Sequence, residues 1–233
     1  MITLYSYPPL CGAADNNGYG LKVFAVLRLA GVPFVHEHIF DASKAPRGQL
    51  PYIVDDGTAI GDSDAILAHL AERHGAALDA ALTPAQRDTA VMVARTLDDL
   101  YWVMSYSRWK DEAFWPAFRD LMMGEHPQLT VEGMEKARAY NAQRYHFQGI
   151  GRFTPDAAYA RGLADLEVLA NLVPEEGYVF GPRPASVDAA LYGFVANILF
   201  PPIATPLKRF VERRQNLVRH CKAIHAVVGD LAD

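Results

Sequence analysis

Hydrophobic and polar positions change their period once along the chain. Up to about residue 75, short β-branched and aromatic runs alternate with helical patterns. Ile2 to Tyr7 reads as a strand stopped by Pro8-Pro9, and a loop rich in Gly, Asn and Asp follows through Gly18. From Tyr19, apolar residues Val23, Val26, Leu27 and Ala30 recur at helical spacing until Gly31 and Pro33. Phe34 to Phe40 is a second strand and Pro51-Tyr52-Ile53-Val54 a third, with Asp56-Gly57 turning into Thr58-Ala59-Ile60. Ser63 is expected to cap a helix that carries Ile66, Leu67 and Leu70 on one face and ends near His74-Gly75. The order β-α-β, connection, β-β-α builds a small mixed sheet with helices on its faces.

Beyond Gly75 the strand period disappears. Residues 76–83 read as a linker, and Thr83-Pro84 opens a helix with a capping hydroxyl and proline at the first position. Helical patterns follow at about 85–109, 112–123, 130–147, 155–172, 186–199 and 206–228. The expectation is an α/β domain over 1–75, a linker over 76–83 and an all-α domain over 84–233.

Composition narrows the function classes. The 233 residues are 51% hydrophobic and 21% charged, ordinary globular proportions that exclude a wholly disordered chain. A net charge of −5 removes any global electrostatic case for nucleic acid. The basic run Lys208, Arg209, Arg213, Arg214, Arg219 and Lys222 reads as the solvated face of an amphipathic helix. Two cysteines, Cys11 and Cys221, are too few for a disulfide framework and suggest a reducing compartment. No apolar run is long enough to span a membrane, and the first residues lack a signal peptide's basic and apolar regions. The expected setting is the cytoplasm, with no membrane partner.

Three segments could carry chemistry. A proline opening a strand after Arg47-Gly48-Gln49-Leu50 is a candidate for a cis Leu50-Pro51 bond, which would leave the Leu50 backbone open to an extended ligand. Ser63 at a helix N-terminus suits a carboxylate and Asp62 beside it an ammonium group, the two charges of an α-amino-acid head; plain helix capping explains the same residues. In Asn16-Asn17-Gly18-Tyr19-Gly20, a helix N-terminus could stabilise a thiolate, but no cysteine stands there. Asn17, and Tyr7 or Tyr5, could donate a hydrogen bond to a substrate's thiolate; turn formation and sheet packing are the competing explanations. Tyr101, Trp102 and Tyr106 are candidates for an apolar pocket wall, although an aromatic stripe on one helix more often belongs to the core. His36 and His38 share one strand face without other ligands at metal-binding spacing, so no metal is expected.

Together these pieces resemble the glutathione transferase superfamily over nearly the whole chain, and its metaxin-like or failed-axon-connections-like branch in particular. The resemblance rests on Gly48-Gln49-Leu50-Pro51, Asp56-Gly57 and Asp62-Ser63-x-Ala65-Ile66-x-x-His69-Leu70 in the first half. In the second half it rests on Leu100-Tyr101-Trp102, Gln148-Gly149-Ile150-Gly151-Arg152, Pro184-Ala185-Ser186-Val187-Asp188-Ala189 and Asn216-Leu217-Val218-x-His220-Cys221. It implies a thioredoxin-like domain followed by a helical one, usually in a homodimer. Reduced glutathione would be the co-substrate, and a small apolar electrophile would sit across the cleft. Leu50 would then bind the cysteinyl backbone beside a cis Pro51, and Asp62 and Ser63 the γ-glutamyl head. Gln49, Arg47 or Lys44 would meet the glycyl end. The branch often carries Ser-Pro-Phe-Cys where this chain has Asn17-Gly18-Tyr19-Gly20, and its helix-capping Ser or Thr falls on Ala185, so Ser186 would cap in a shifted frame. The leading function is therefore glutathione conjugation, with Asn17 and Tyr7 activating the thiol. The rivals are a non-catalytic binding protein of the same fold and a glutathione-dependent reductase or isomerase.

Overall fold

The computed structural model describes residues 1–229. Its sheet has four strands, β1 (Ile2–Ser6), β2 (Phe34–His38), β3 (Tyr52–Asp55) and β4 (Thr58–Gly61), in the spatial order β2-β1-β3-β4. β1 runs parallel to β2 and antiparallel to β3, and β3 and β4 form a hairpin. The parallel pair is joined by α1 (Gly18–Leu29), and the hairpin leads into α2 (Ser63–His74). This is the thioredoxin-like half. The helical half comprises α3 (Pro84–Trp109), α4 (Trp115–Glu125), α5 (Val131–Gln148), α6 (Pro155–Leu172), α7 (Ser186–Leu199), α8 (Pro206–Arg213) and α9 (Gln215–Val228). Among the described residues no helix is long and apolar enough to cross a membrane.

Alternation along β1 sends Ile2, Leu4 and Ser6 inward and leaves Thr3 and Tyr5 on the other face. Tyr5 stacks there on Tyr52 at 4.5 Å between ring centroids. The main core runs without interruption from β1 and α1 into α7, which is buried along most of its length. Small residues allow that approach. A Cβ on Gly18 would meet the Phe194 ring at 2.9 Å, and one on Gly193 would collide with the Gly18 carbonyl. A second cluster gathers Leu10, Trp115, Phe118, Met122 and Met134 beneath the loop that precedes α1.

Three local expectations are corrected. The pattern at 206–228 is two helices, because Arg214 leaves helical geometry (φ −99°, ψ 87°) and its guanidinium pairs with Glu167 of α6. α2 is capped by Asp62, whose Oδ1 accepts from the backbone N–H of Asp64 and Ala65, so Ser63 is its first helical residue. Ser186 does not cap α7. The linker's Asp79 does, accepting from the Ser186 N–H at 2.8 Å and its hydroxyl at 2.5 Å. Asp188 turns back to the Ala185 N–H, so a residue 107 positions away replaces the hydroxyl that Ala185 lacks.

Candidate active site

A cavity of about 870 Å³ opens between the two halves. Its thioredoxin-like wall contains Tyr7, Asn17, Arg47, Gln49, Leu50, Pro51, Asp62 and Ser63. The Leu50-Pro51 peptide is cis. Among the described residues, no other group engages the Leu50 N–H or C=O. Arg47 (φ 62°) and Asp62 (φ 77°) both hold left-handed backbone conformations that non-glycine residues rarely adopt, and such conformations concentrate at functional sites. The Arg47 guanidinium meets Asp62 Oδ2 at 3.2 Å. Ser63 keeps its N–H at the positive end of α2, and its hydroxyl accepts from the buried Lys22 ammonium at 3.3 Å. Lys22 also pairs with Asp64. Lys44 does not line the cavity.

Asn17 is the N-cap of α1. Its Oδ1 accepts from the Tyr19 N–H at 2.9 Å, which leaves the side-chain NH₂ as the polar group it can present to the cavity. Burial pushes the Tyr7 phenol up to about 12, so it stays protonated and keeps its O–H as a hydrogen-bond donor. Tyr5 lies on the opposite sheet face and lines no part of the cavity.

Gly20 stands where the branch often has cysteine, and the reason is steric. A Cβ there would overlap Asp15 Oδ2. Asp15 is fully buried, its Oδ1 accepts from the Asn17 N–H at 2.7 Å, and its Oδ2 has no hydrogen-bond partner among the described residues. Burial raises its carboxyl to about 8. Cys11 is no substitute nucleophile, because burial and the Glu125 carboxylate push its thiol up to about 11.

The helical wall is built from Tyr101, Trp102 and Trp109 on α3 and Met134, Tyr140 and Arg144 on α5. The Arg144 guanidinium carbon lies 5.3 Å from the Trp102 ring centroid and 5.9 Å from that of Tyr140, and its NH1 donates to Asn141 Oδ1. Ring faces and an amide therefore hold this cation at the cavity edge. Tyr106 is corrected out of the wall: it is 2% exposed and packs against Tyr145 and Tyr159 in the core. α3 thus presents Tyr101 and Trp102 to the cavity and, about one turn further on, Tyr106 to α6.

Arg108 is a buried residue of the cavity lining. Its NH1 donates to the Asn16 carbonyl at 2.7 Å, and its NH2 to the Asn197 carbonyl and Oδ1 at 2.5 and 3.1 Å. Asn197 in turn donates to the Asp15 carbonyl at 3.1 Å. The helical half thus holds both residues that precede Asn17. Sequence reasoning singled out none of Asp15, Lys22, Arg108, Arg144 or Asn197. Only the four-residue spacing of Tyr140 and Arg144 on one helix face carried a readable signal.

Comparison with known proteins agrees with this geometry. Residues 19–114 match the family model described as glutathione S-transferase N-terminal domain, and residues 162–224 the one described as glutathione S-transferase, C-terminal domain. The isoprene-epoxide–glutathione S-transferase of Rhodococcus sp. (strain AD45) is 31% identical, over 96% of this chain and 98% of that protein. Failed axon connections of Drosophila melanogaster is 25% identical over 94% of this chain, which spans 56% of that longer protein. Among solved structures, the glutathione transferase GSTFuA3 of Phanerochaete chrysosporium superposes with a TM-score of 0.66 at 17% identity, covering 100% of this chain and 98% of that one. The β-etherase LigF of Sphingobium sp. strain SYK-6 superposes at 0.63 and 17% identity, covering 97% and 95%.

Proposed function

Because this chain belongs to the glutathione S-transferase family, we propose that it joins the thiol of reduced glutathione to a small, largely apolar electrophile, with an epoxide as the favoured class. The reading is supported by one observation: a single cavity is lined by Leu50, Pro51, Asp62 and Ser63 on one wall and by aromatic rings and the Arg144 cation on the other. Ser63, with the Lys22 ammonium behind its hydroxyl, suits the γ-glutamyl carboxylate. Asp62 suits the α-ammonium, which would displace the exposed Arg47 contact at little cost. The Leu50 backbone suits the cysteinyl amide, and Gln49 and Arg47 the glycyl end.

The substrate itself supplies the thiol, since Gly20 leaves no loop cysteine and Cys11 is held protonated. Asn17 and Tyr7 donate toward the sulfur and favour its thiolate form. In the reaction the thiol first gives its proton to solvent, the thiolate sulfur forms a bond to an epoxide carbon as that carbon–oxygen bond breaks, and the oxygen carries the negative charge until it takes a proton back from solvent. Arg144 beside Tyr101 stands where such an oxyanion would gain most, in a partly desolvated aromatic setting. The epoxide class is supported by the 31% identical relative and by this cation. A homodimer and a cytoplasmic setting belong to the same proposal, and light scattering of the purified protein tests the first.

Calorimetric titration with reduced glutathione tests the binding step, with an Asp62→Ala, Ser63→Ala double variant as control. Saturable binding that the variant loses is the expected result, followed by a thioether product when an epoxide is added. Binding without product from any epoxide or other electrophile would transfer support to a non-catalytic role. Absence of binding at millimolar glutathione would overturn the proposal.

A further inference from the structure

Outside the cavity lining, three side chains of the thioredoxin-like half converge in an arrangement that the proposed function does not use. Asp55 ends β3 and is 6% exposed. Its Oδ2 meets His69 Nε2 at 2.8 Å and His74 Nε2 at 2.6 Å, and the three atoms lie within 4.8 Å of one another. Both imidazoles, from the middle and the last turn of α2, point the same ring nitrogen at one carboxylate oxygen.

We propose that Asp55, His69 and His74 form a binding site for a divalent transition-metal ion of the zinc class. Two neutral imidazole nitrogens and one carboxylate oxygen suit Zn²⁺, Co²⁺ or Ni²⁺ rather than Mg²⁺ or Ca²⁺, which prefer all-oxygen shells. Bonds of about 2.1 Å in a tetrahedral shell put ligand atoms roughly 3.4 Å apart. Each histidine must therefore retreat from the carboxylate by about 0.6–0.8 Å, giving up a hydrogen bond for a metal bond. The side chains have room to do so, being 23% and 29% exposed, and solvent occupies the fourth position. The ligands come from a strand end and a helix, so their separation is set by regular structure rather than by a loop.

Among the described residues no group orients either Nδ1 atom, which makes the site exchangeable rather than permanently loaded. The ion would staple the end of α2 to the β3–β4 hairpin. None of the three residues lines the cavity, and Asp55 lies four residues along the chain from Pro51, roughly 13 Å in an extended strand. Metal binding therefore stands apart from glutathione chemistry, and either reading can fail alone. His36 and His38, whose rings sit 4.1 Å apart, are the internal competitor for an added ion.

The test uses full-length protein without a polyhistidine tag, stripped by a chelator and titrated with Co²⁺ while its ligand-field absorption is followed. The expected result is saturation at one ion per chain, reversal by Zn²⁺, and a thermal unfolding temperature that rises with Zn²⁺. His74→Gln and His69→Gln each retain an amide donor for Asp55, so they preserve the fold while weakening the metal by about ten-fold or more. Absence of saturable binding would overturn the proposal. So would binding that both variants leave unchanged, or binding lost only in His38→Gln.

Discussion

Asn17 does two jobs that a single substitution can separate. Its Oδ1 caps α1 through Tyr19 N–H, which leaves its NH₂ as the donor available to the cavity that Asn17 lines. Asn17→Asp keeps the cap acceptor and removes the donor. We expect unchanged or slightly raised thermal stability, because an acidic cap suits the helix N-terminus. We also expect the pKa of bound glutathione to rise by about one unit, which is ~1.4 kcal/mol and an about ten-fold loss of kcat/KM at neutral pH. Stopped-flow absorbance of the thiolate and steady-state rates measure both. Equal losses of stability and activity would show that only the cap matters.

Asp15 adds a pH dependence at the same scale. Its folded-state carboxyl is raised by burial to about 8, above the ordinary value of 3.8, so the folded protein binds a proton that the unfolded chain releases first. The associated stability is fully present below pH 4 and is lost as pH rises toward 8, with a slope approaching ~1.4 kcal/mol per pH unit. Denaturant unfolding at several pH values checks this, and Asp15→Asn should flatten the slope. Above pH 8 the new charge lies directly behind Asn17 and opposes thiolate formation, so the Asn variant should gain relative activity there.

At the scale of elements, the N-terminus of α7 shows how a missing local signal is replaced. Ala185 has extended backbone geometry suited to a cap but no acceptor, and Asp79 supplies one from the linker. Asp79→Ala should destabilise the protein by about 1 kcal/mol, measured as a lowered denaturation midpoint. Adding Ala185→Ser to that variant should recover much of the loss by restoring a local hydroxyl. The contact also ties the linker to the helical half, so the Asp79 variant should expose the segment at 76–83 to faster proteolysis.

For the whole molecule, the relation between the halves depends on Arg108 and Asn197. Both are buried, and together they bind the carbonyls of Asp15 and Asn16. Arg108→Met would leave the Asn16 carbonyl and the Asn197 carbonyl and Oδ1 without that donor, at a cost of about 1–3 kcal/mol for each group stranded. The expected signature is lowered stability together with a raised KM for glutathione, since the loop that carries Asn17 into the cavity loses one of the contacts that hold it. A variant in the helical wall, Arg144→Met, should instead keep glutathione affinity. Its kcat should fall by about ten-fold or more with an epoxide and much less with an electrophile that releases a stable anion. Steady-state kinetics with the two substrate classes separate the outcomes.

The features legible along the chain were local ones. Strand and helix periods, the Thr83-Pro84 helix start, the Asp56-Gly57 hairpin and the contiguous Leu50-Pro51 and Asp62-Ser63 segments were readable because their physics involves residues within about one helical turn of each other. Tertiary structure decided which distant side chains meet. It split 206–228 at Arg214, moved the α2 cap from Ser63 to Asp62, and turned Tyr106 into the core while leaving Tyr101 and Trp102 at the cavity. It also placed Asp15 against Gly20, Arg108 beneath Asn16, Asp79 on Ser186 and two helical histidines on Asp55. Those contacts arise from how buried faces pack: α7 crosses α1 at Gly18 and Gly193, and that crossing brings Asn197 onto the loop before Asn17. Backbone preference acts between neighbours in the chain, whereas close packing selects partners by shape from anywhere in it.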